Sequence, residues 1–254
     1  MYIFSKSNSF VFSLSTDDKI QILLDKINKD SKKLSELFGI KRGIELGQKS
    51  SIVQCNKCGF YNEANTKYYG QSDKKCKKCK NKLVINDKSV KIISSDKETK
   101  DYTSEAIAGN QLQRYSIQDR YYILPNLKGI DYKEIAFEGL KILIKRIDTR
   151  IEGTFTKSKL FAFNTVYSIY GNQSENNYLS SLAVLNSKLM KFYYEFSYNV
   201  GMNLTTQVTI DFLSKIPIHL PSPAQEKKIV DLVNQMLSLQ KKYHDEKIGG
   251  NEKE

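Results

Sequence analysis

The sequence predicts an α+β protein: mixed small sheets with packing helices, an inserted four-cysteine zinc ribbon and a long C-terminal helix. Three observations predict it. Runs rich in β-branched and aromatic residues, YYIL at 121–124, KILIKRI at 141–147 and LFAFNTVYSIY at 160–170, are divided by Gly, Pro, Asn or Asp and read as short strands. Other segments repeat apolar residues at steps of three and four, the period of a helix with one buried face. All the cysteines fall between residues 55 and 79, as two CxxC pairs.

The first segment, residues 1–30, is a strand and helix unit. TDDKIQILLDKINKD at 16–30 places Ile20, Leu23, Leu24 and Ile27 at helical spacing, behind Thr16 as N-cap and Asp17 and Asp18 in the dipole-favoured first turn. A second unit, 31–221, begins near Ser31. Its Gly39, Gly43 and Gly47 recur every four residues, which suits turns between short strands. The cysteine insert occupies about 50–88, and the Lys, Ser and Asp-rich stretch after it reads as exposed connection with one short strand at Val90–Ile93. In YLSSLAVLNSKLMKFYYEFSY, 178–198, Leu182, Leu185, Leu189, Phe192 and Phe196 share one face of a predicted helix. The third unit, 222–254, is a helix and charged tail. Ser222, Pro223 and Gln225 form a capping box with proline at the first helical position, ahead of a seam of Ile229, Val233, Met236 and Tyr243 in which polar Gln240 also sits.

A chain of 254 residues buries a core without disulfides, so the cysteines have another task. No stretch approaches the roughly 20 apolar residues of a membrane span, and the N-terminus lacks the compact apolar region of a secretory signal. The expectation is a cytoplasmic protein, where paired CxxC motifs mean metal or redox chemistry. Cys55 and Cys58, then Cys76 and Cys79, are separated by seventeen residues, and each pair offers two thiolates from one tight turn. Two such turns close a tetrahedral zinc shell with no open position, a structural site and not a hydrolytic one. A redox pair would need one CxxC opening a helix after a strand, and an iron-sulfur cluster suits less hydrophilic flanks than these.

The net charge of +12 attracts polyanions, DNA or RNA first among them. Among the lysines flanking the cysteines, Lys57, Lys75, Lys77 and Lys78 are candidate phosphate contacts, which give affinity without sequence choice. Tools for catalysis are missing: there is no Walker loop, no glycine-rich cofactor fingerprint and no Asn-Pro-Pro-Tyr segment. The two histidines, His219 and His244, read as surface residues.

Five segments carry a family resemblance: KLSELFGIKRGIELG at 33–47, IAGNQLQRYSI at 107–117, KILIKRIDTRIEGTF at 141–155 with NTVYSIY after it, LAVLNSKLMKFYYEF at 182–196, and IDFLSKIPIHLPSPAQEKKIVDLVNQML at 210–237. In this order they resemble the TaqI-like C-terminal specificity domain, the target-recognition domain of adenine-specific DNA methyltransferases and of type II restriction-modification enzymes. Gln111 stands where that family carries an acid. The last segment is also similar to the end of type I restriction specificity subunits. The resemblance implies a division of labour, in which a methyltransferase or nuclease portion, N-terminal or separate, binds S-adenosylmethionine and modifies a flipped adenine, while this chain, the second part alone, grips double-stranded DNA and chooses the site.

Side chains that read base edges present paired donors, Arg to guanine and Asn or Gln to adenine. Asn110, Gln111, Gln113 and Arg114 cluster beside a predicted turn, and Lys145, Arg146, Thr149 and Arg150 lie on a predicted strand pair, so these are the candidate DNA contacts. For each, the plain alternative is a surface polar residue or an Arg paired with Glu134, Glu138 or Asp148. Two other functions stay open on the sequence: an assembly subunit docking on a catalytic partner, and a methyltransferase or nuclease with degenerate motifs.

Overall fold

The computed structural model describes residues 18–46, 51–64, 74–198 and 206–251. Thr16, Asp17 and Gly47 lie outside them. The architecture is α+β, with several small sheets, packing helices, a long C-terminal helix and a close group of four cysteines.

The central sheet is antiparallel, in the order Gly153–Thr156, Lys141–Lys145, Val166–Tyr170, Gly39–Arg42. Side chains alternate across a strand. Ile142 and Ile144 therefore face a helical core with Leu34, Tyr178, Leu182, Tyr194, Leu213 and Val233, while Leu143 faces a second core with Ile107, Ile123, Phe137 and Phe161. Burial on both faces explains why KILIK is a continuous apolar run and not an alternating one. The second core lies against another sheet, ordered Phe161–Ala162, Ser104–Ile107, Tyr121–Ile123, Ser94–Ser95, in which the first pair is parallel.

The chain crosses between these sheets at Gly43. There the two backbones touch: Ile44 N donates to Ala162 O at 2.7 Å, and a Cβ on Gly43 would sit 2.2 Å from Phe163 O. The regular glycines were expected at turns. Instead Gly39 opens an edge strand, and Gly43 is small because a carbonyl occupies the place of its side chain.

The predicted single helix over 178–198 is two helices, Glu175–Leu185 and Lys188–Ser197. The break is made by buried Asn186, whose Oδ1 accepts from Gly153 N and whose Nδ2 donates to Gly153 O, each at 2.9 Å. Ser187 then caps the second helix, accepting from Met190 N at 3.0 Å. The face rotates at the break, so Leu182 and Leu185 are buried while Leu189 is 55% exposed.

In the helix Asp18–Asn28, Leu24 is buried and Ile20 and Ile27 pack on the core, but Leu23 points to solvent. The C-terminal helix, Pro223–Asn251, begins where the capping residues place it, with Gln225 Oε1 accepting from Ser222 N at 3.0 Å. Its seam differs from expectation. Ile229, Val230, Val233 and Leu237 meet the core, whereas Met236 and Tyr243 are exposed, because they lie on a stripe beside the face that Val233 and Leu237 turn to the core. Among the described residues, no helix is long and apolar enough to cross a membrane.

Candidate metal centre and nucleic-acid interface

The cysteine segment forms a three-stranded sheet, Tyr61–Glu63, Ser51–Gln54 and Val90–Ile92, that joins the second sheet through Ile52, Ile93 and Leu124. Each CxxC turns at the tip of a hairpin. In the first, Gln54 pairs with Tyr61, Cys55 N donates to Phe60 O at 2.9 Å and Gly59 N donates to Cys55 O at 2.8 Å. The second repeats it: Lys75 bridges Lys82, Cys76 N donates to Asn81 O at 2.8 Å and Lys80 N donates to Cys76 O at 3.0 Å. The corresponding residues Gly59 and Lys80 both take the left-handed conformation, with φ of +68° and +60°. Lysine there is a departure from the usual glycine or asparagine, so the left-handed residue that closes the second turn carries no signal in the sequence.

The sulfurs of Cys55 and Cys79 lie 3.6 Å apart, those of Cys58 and Cys76 lie 3.7 Å apart, and all four fall within 4.8 Å of one another. Four thiolates held at about 2.3 Å by a tetrahedral zinc stand about 3.8 Å apart. The donor set and its spacing fit such an ion. Electrostatics points the same way. Burial works to raise the Cys76 thiol, but the amides of Cys79 and Lys78 and the Asn62 side chain outweigh it and bring it down to about 6. The Phe60 amide favours the Cys58 thiolate, but burial and the three neighbouring sulfurs push it up to about 11. Four thiolates crowded together repel, and a divalent cation removes the conflict.

Asn62 escaped the sequence reading. Buried beneath the centre, it donates to Phe60 O at 2.9 Å and to Cys76 Sγ at 3.7 Å, while its Oδ1 accepts from Lys77 N at 2.8 Å. It thus fixes one hairpin against the other and orients a ligand from behind. Lys57, Lys75, Lys77 and Lys78 are all exposed on the hairpin tips. Lys77 forms an ion pair with Glu63 at 2.7 Å, and the other three have no acid partner among the described residues.

The candidate base contacts are brought together only in part. Residues 109–111 make a single tight turn, and Leu112–Gln113 and Ser116–Ile117 form a hairpin whose tip is Arg114–Tyr115. Asn110 and Gln113 are exposed, but Gln111 is buried and its Oε1 accepts from Ala108 N at 2.8 Å. The hairpin lies on the edge of the central sheet, with Tyr115 N donating to Gly153 O at 2.9 Å. Gln113, Arg114, Lys145 and Arg150 line one open depression together with Tyr115, Glu152, Met236 and Gln240. The last two come from the C-terminal helix and were not among the expected contacts.

Within this groove the cations differ in their freedom. Lys145 Nζ meets Asp148 at 2.9 Å and Glu152 at 3.6 Å, and Arg150 grips Glu152 Oε1 through Nε at 2.8 Å and Nη2 at 2.5 Å. Burial works to raise the Asp148 carboxyl, but the Lys145 ammonium and the Thr149 amide outweigh it and hold it below its usual value. Thr149 is tied back through its amide to Asp148 at 2.6 Å. Arg146 donates to Gln207 Oε1 at 2.7 Å and Asn164 O at 3.3 Å. Arg114 has no acid partner among the described residues. Its guanidinium lies 5.8 Å over the Tyr115 ring.

His219 and His244 each meet a backbone carbonyl, of Ile27 at 2.8 Å and of Gln118 at 3.0 Å.

Comparison with curated proteins finds no match. The matching family model is that of the TaqI-like C-terminal specificity domain, which covers residues 104–218, from the second sheet through the hairpin, the central sheet and the paired helices, and points to DNA-recognition specificity of the kind found in methyltransferase-related proteins.

Proposed function

We propose that this chain reads double-stranded DNA as the specificity part of an adenine-specific DNA methyltransferase or restriction-modification enzyme. The observation that carries the reading is the TaqI-like specificity match over 104–218, which contains all eight candidate base contacts. Catalysis and S-adenosylmethionine belong to a partner or to another domain. In this reading 31–221 is the recognition unit, with 222–254 as a helical appendage and 1–30 as a leading segment.

The four cysteines hold structural zinc, in keeping with a reducing compartment such as the cytoplasm. The ion supplies no step; it fixes two hairpins and the lysines on them. Charge supports a phosphate-gripping role for that insert: residues 51–91 carry ten lysines against three acids, while the matched segment, with thirteen basic and ten acidic residues, is nearly balanced. Phosphate contact positions a protein and base contact specifies it, and the two tasks are thus divided along the chain.

The test is selection of duplexes from a randomised library by the full, zinc-loaded chain. Enrichment of one short site is expected. A pool that stays random through successive rounds overturns the reading.

A second role, docking on the catalytic partner, is favoured by one feature of the C-terminal helix. Leu232, Met236, Leu239 and Tyr243 form an exposed apolar stripe at steps of four, three and four, outside the matched segment. Co-purification with an adenine methyltransferase, lost on replacing Leu232 and Leu239 by Lys, is the expected result.

A further inference from the structure

We propose that the hairpin tip Arg114–Tyr115 is the base-reading element and that Arg114 reads a guanine, so that the recognised sequence contains a G whose O6 and N7 meet this side chain. The inference rests on the DNA-reading function and narrows it to one residue and one base.

The argument begins with elimination by geometry. Three cations line the groove beside the C-terminal helix, and two of them are spoken for: Lys145 by Asp148 and Glu152, Arg150 by Glu152. To meet DNA, either would first have to leave a carboxylate, and drawing one away would leave the buried Glu152 with one counterion where it now has two. Arg114 carries no such cost.

Its pose is prepared as well. The Nε atom is buried and has no hydrogen-bond partner, and the partly exposed side chain lines the groove, which leaves the terminal Nη pair to meet a base. Two parallel N–H groups at that end match the paired acceptors of guanine in the major groove, a fit that adenine, with one donor and one acceptor, cannot reproduce. The Tyr115 ring beneath holds the guanidinium plane by cation–π attraction, which reduces the side-chain entropy lost on binding.

Tyr115 itself is held in an unfavourable backbone conformation, with φ of +63°. A bulky aromatic residue in the left-handed region is a genuine outlier, since glycine or asparagine would hold the same turn at less cost. The hydrogen bond from its amide to Gly153 O and its packing on the helical core keep it there. Such a conformation is retained where the side chain has a task, and carrying Arg114 is one.

The experiment uses the full, zinc-loaded chain and the duplex it selects. Replacing each guanine in turn by 7-deazaguanine removes the N7 acceptor without altering Watson–Crick pairing. Binding should fall about ten-fold or more at one position. In Arg114→Gln the same replacement should have no effect, and the discrimination against adenine at that position should drop by about ten- to a hundred-fold. Arg114→Lys separates a base contact from a phosphate contact: lysine keeps the charge but not the fork, so loss of discrimination with an unchanged salt dependence supports the proposal. Equal weakening toward every sequence in Arg114→Gln, rescued by Lys, overturns it in favour of a phosphate contact. A selected site with no guanine sensitive to N7 removal overturns it without touching the DNA-reading function, whereas the absence of any selected site overturns both.

Discussion

Asn186 does two jobs with one amide, ending a helix and closing both backbone groups of Gly153 from 33 residues away. Asn186→Ala leaves the buried N–H of Gly153 unsatisfied and its C=O with the Tyr115 amide alone, and should cost about 1–3 kcal/mol in urea unfolding. Gly43→Ala is expected to cost about 3 kcal/mol, because its new methyl would collide with backbone atoms that no rotamer change can move. Asn62→Ala should lower zinc affinity about ten- to a hundred-fold in a competition titration while leaving the four ligands in place. Lys141 offers a test by pH. Fully buried, its ammonium donates to Ser158 O at 2.6 Å and Gly139 O at 3.1 Å, and burial pushes it down to about 8. Below that pH both folded and unfolded chains carry the proton, and the cost of burying it is present in full. As pH rises from 8 toward the ordinary lysine value, the folded chain loses its proton first, the unfolded chain binds more, and stability rises. The gain from this group by pH 9.5 is on the order of 1 kcal/mol, and Lys141→Met, compared with the unaltered protein in zinc-replete buffer, should reduce the rise by that amount.

At the scale of elements, the cysteine hairpins are the clearest case of a feature written in local sequence. Spacing alone placed four sulfurs in one cluster, since each CxxC turn is closed by its own backbone and needs nothing distant. The start of the C-terminal helix was legible for the same reason: Ser222 and Gln225 are partners within one turn. Legibility ended where a distant group decides. Helical spacing runs unbroken through Asn186, and only the approach of Gly153 breaks it. The outer face of the C-terminal helix looked like a core seam because Met236 and Tyr243 keep apolar helical spacing beside the face that the core covers. Among the candidate DNA contacts, residue type could not separate Arg114 from Arg150. Arg150 turns to Glu152 because the chain reverses after Asp148, whereas Glu134 and Glu138, also possible partners from the sequence, pair with Lys159. Removal of zinc by a strong chelator should open the hairpins, detected as four thiols reacting rapidly, and weaken DNA binding by releasing Lys57, Lys75 and Lys78 from a common surface. Unchanged thiol reactivity would remove the metal from the reading.

Over the whole molecule, charge and chemistry are unevenly shared. The lysine-rich insert carries most of the net charge, and the segment that matches the specificity domain is close to neutral. If the first grips phosphates and the second reads bases, Lys57→Gln, Lys75→Gln and Lys78→Gln together should reduce the dependence of log K on log salt by about two to three units and leave site preference intact. The measurement that bears most directly on the function is the affinity of the full, zinc-loaded chain for its selected duplex and for a scrambled duplex of equal composition, compared by titration near physiological salt. DNA reading predicts that the selected duplex binds about 10³-fold tighter or more; equal affinity for the two duplexes would show a basic protein that holds DNA without reading it.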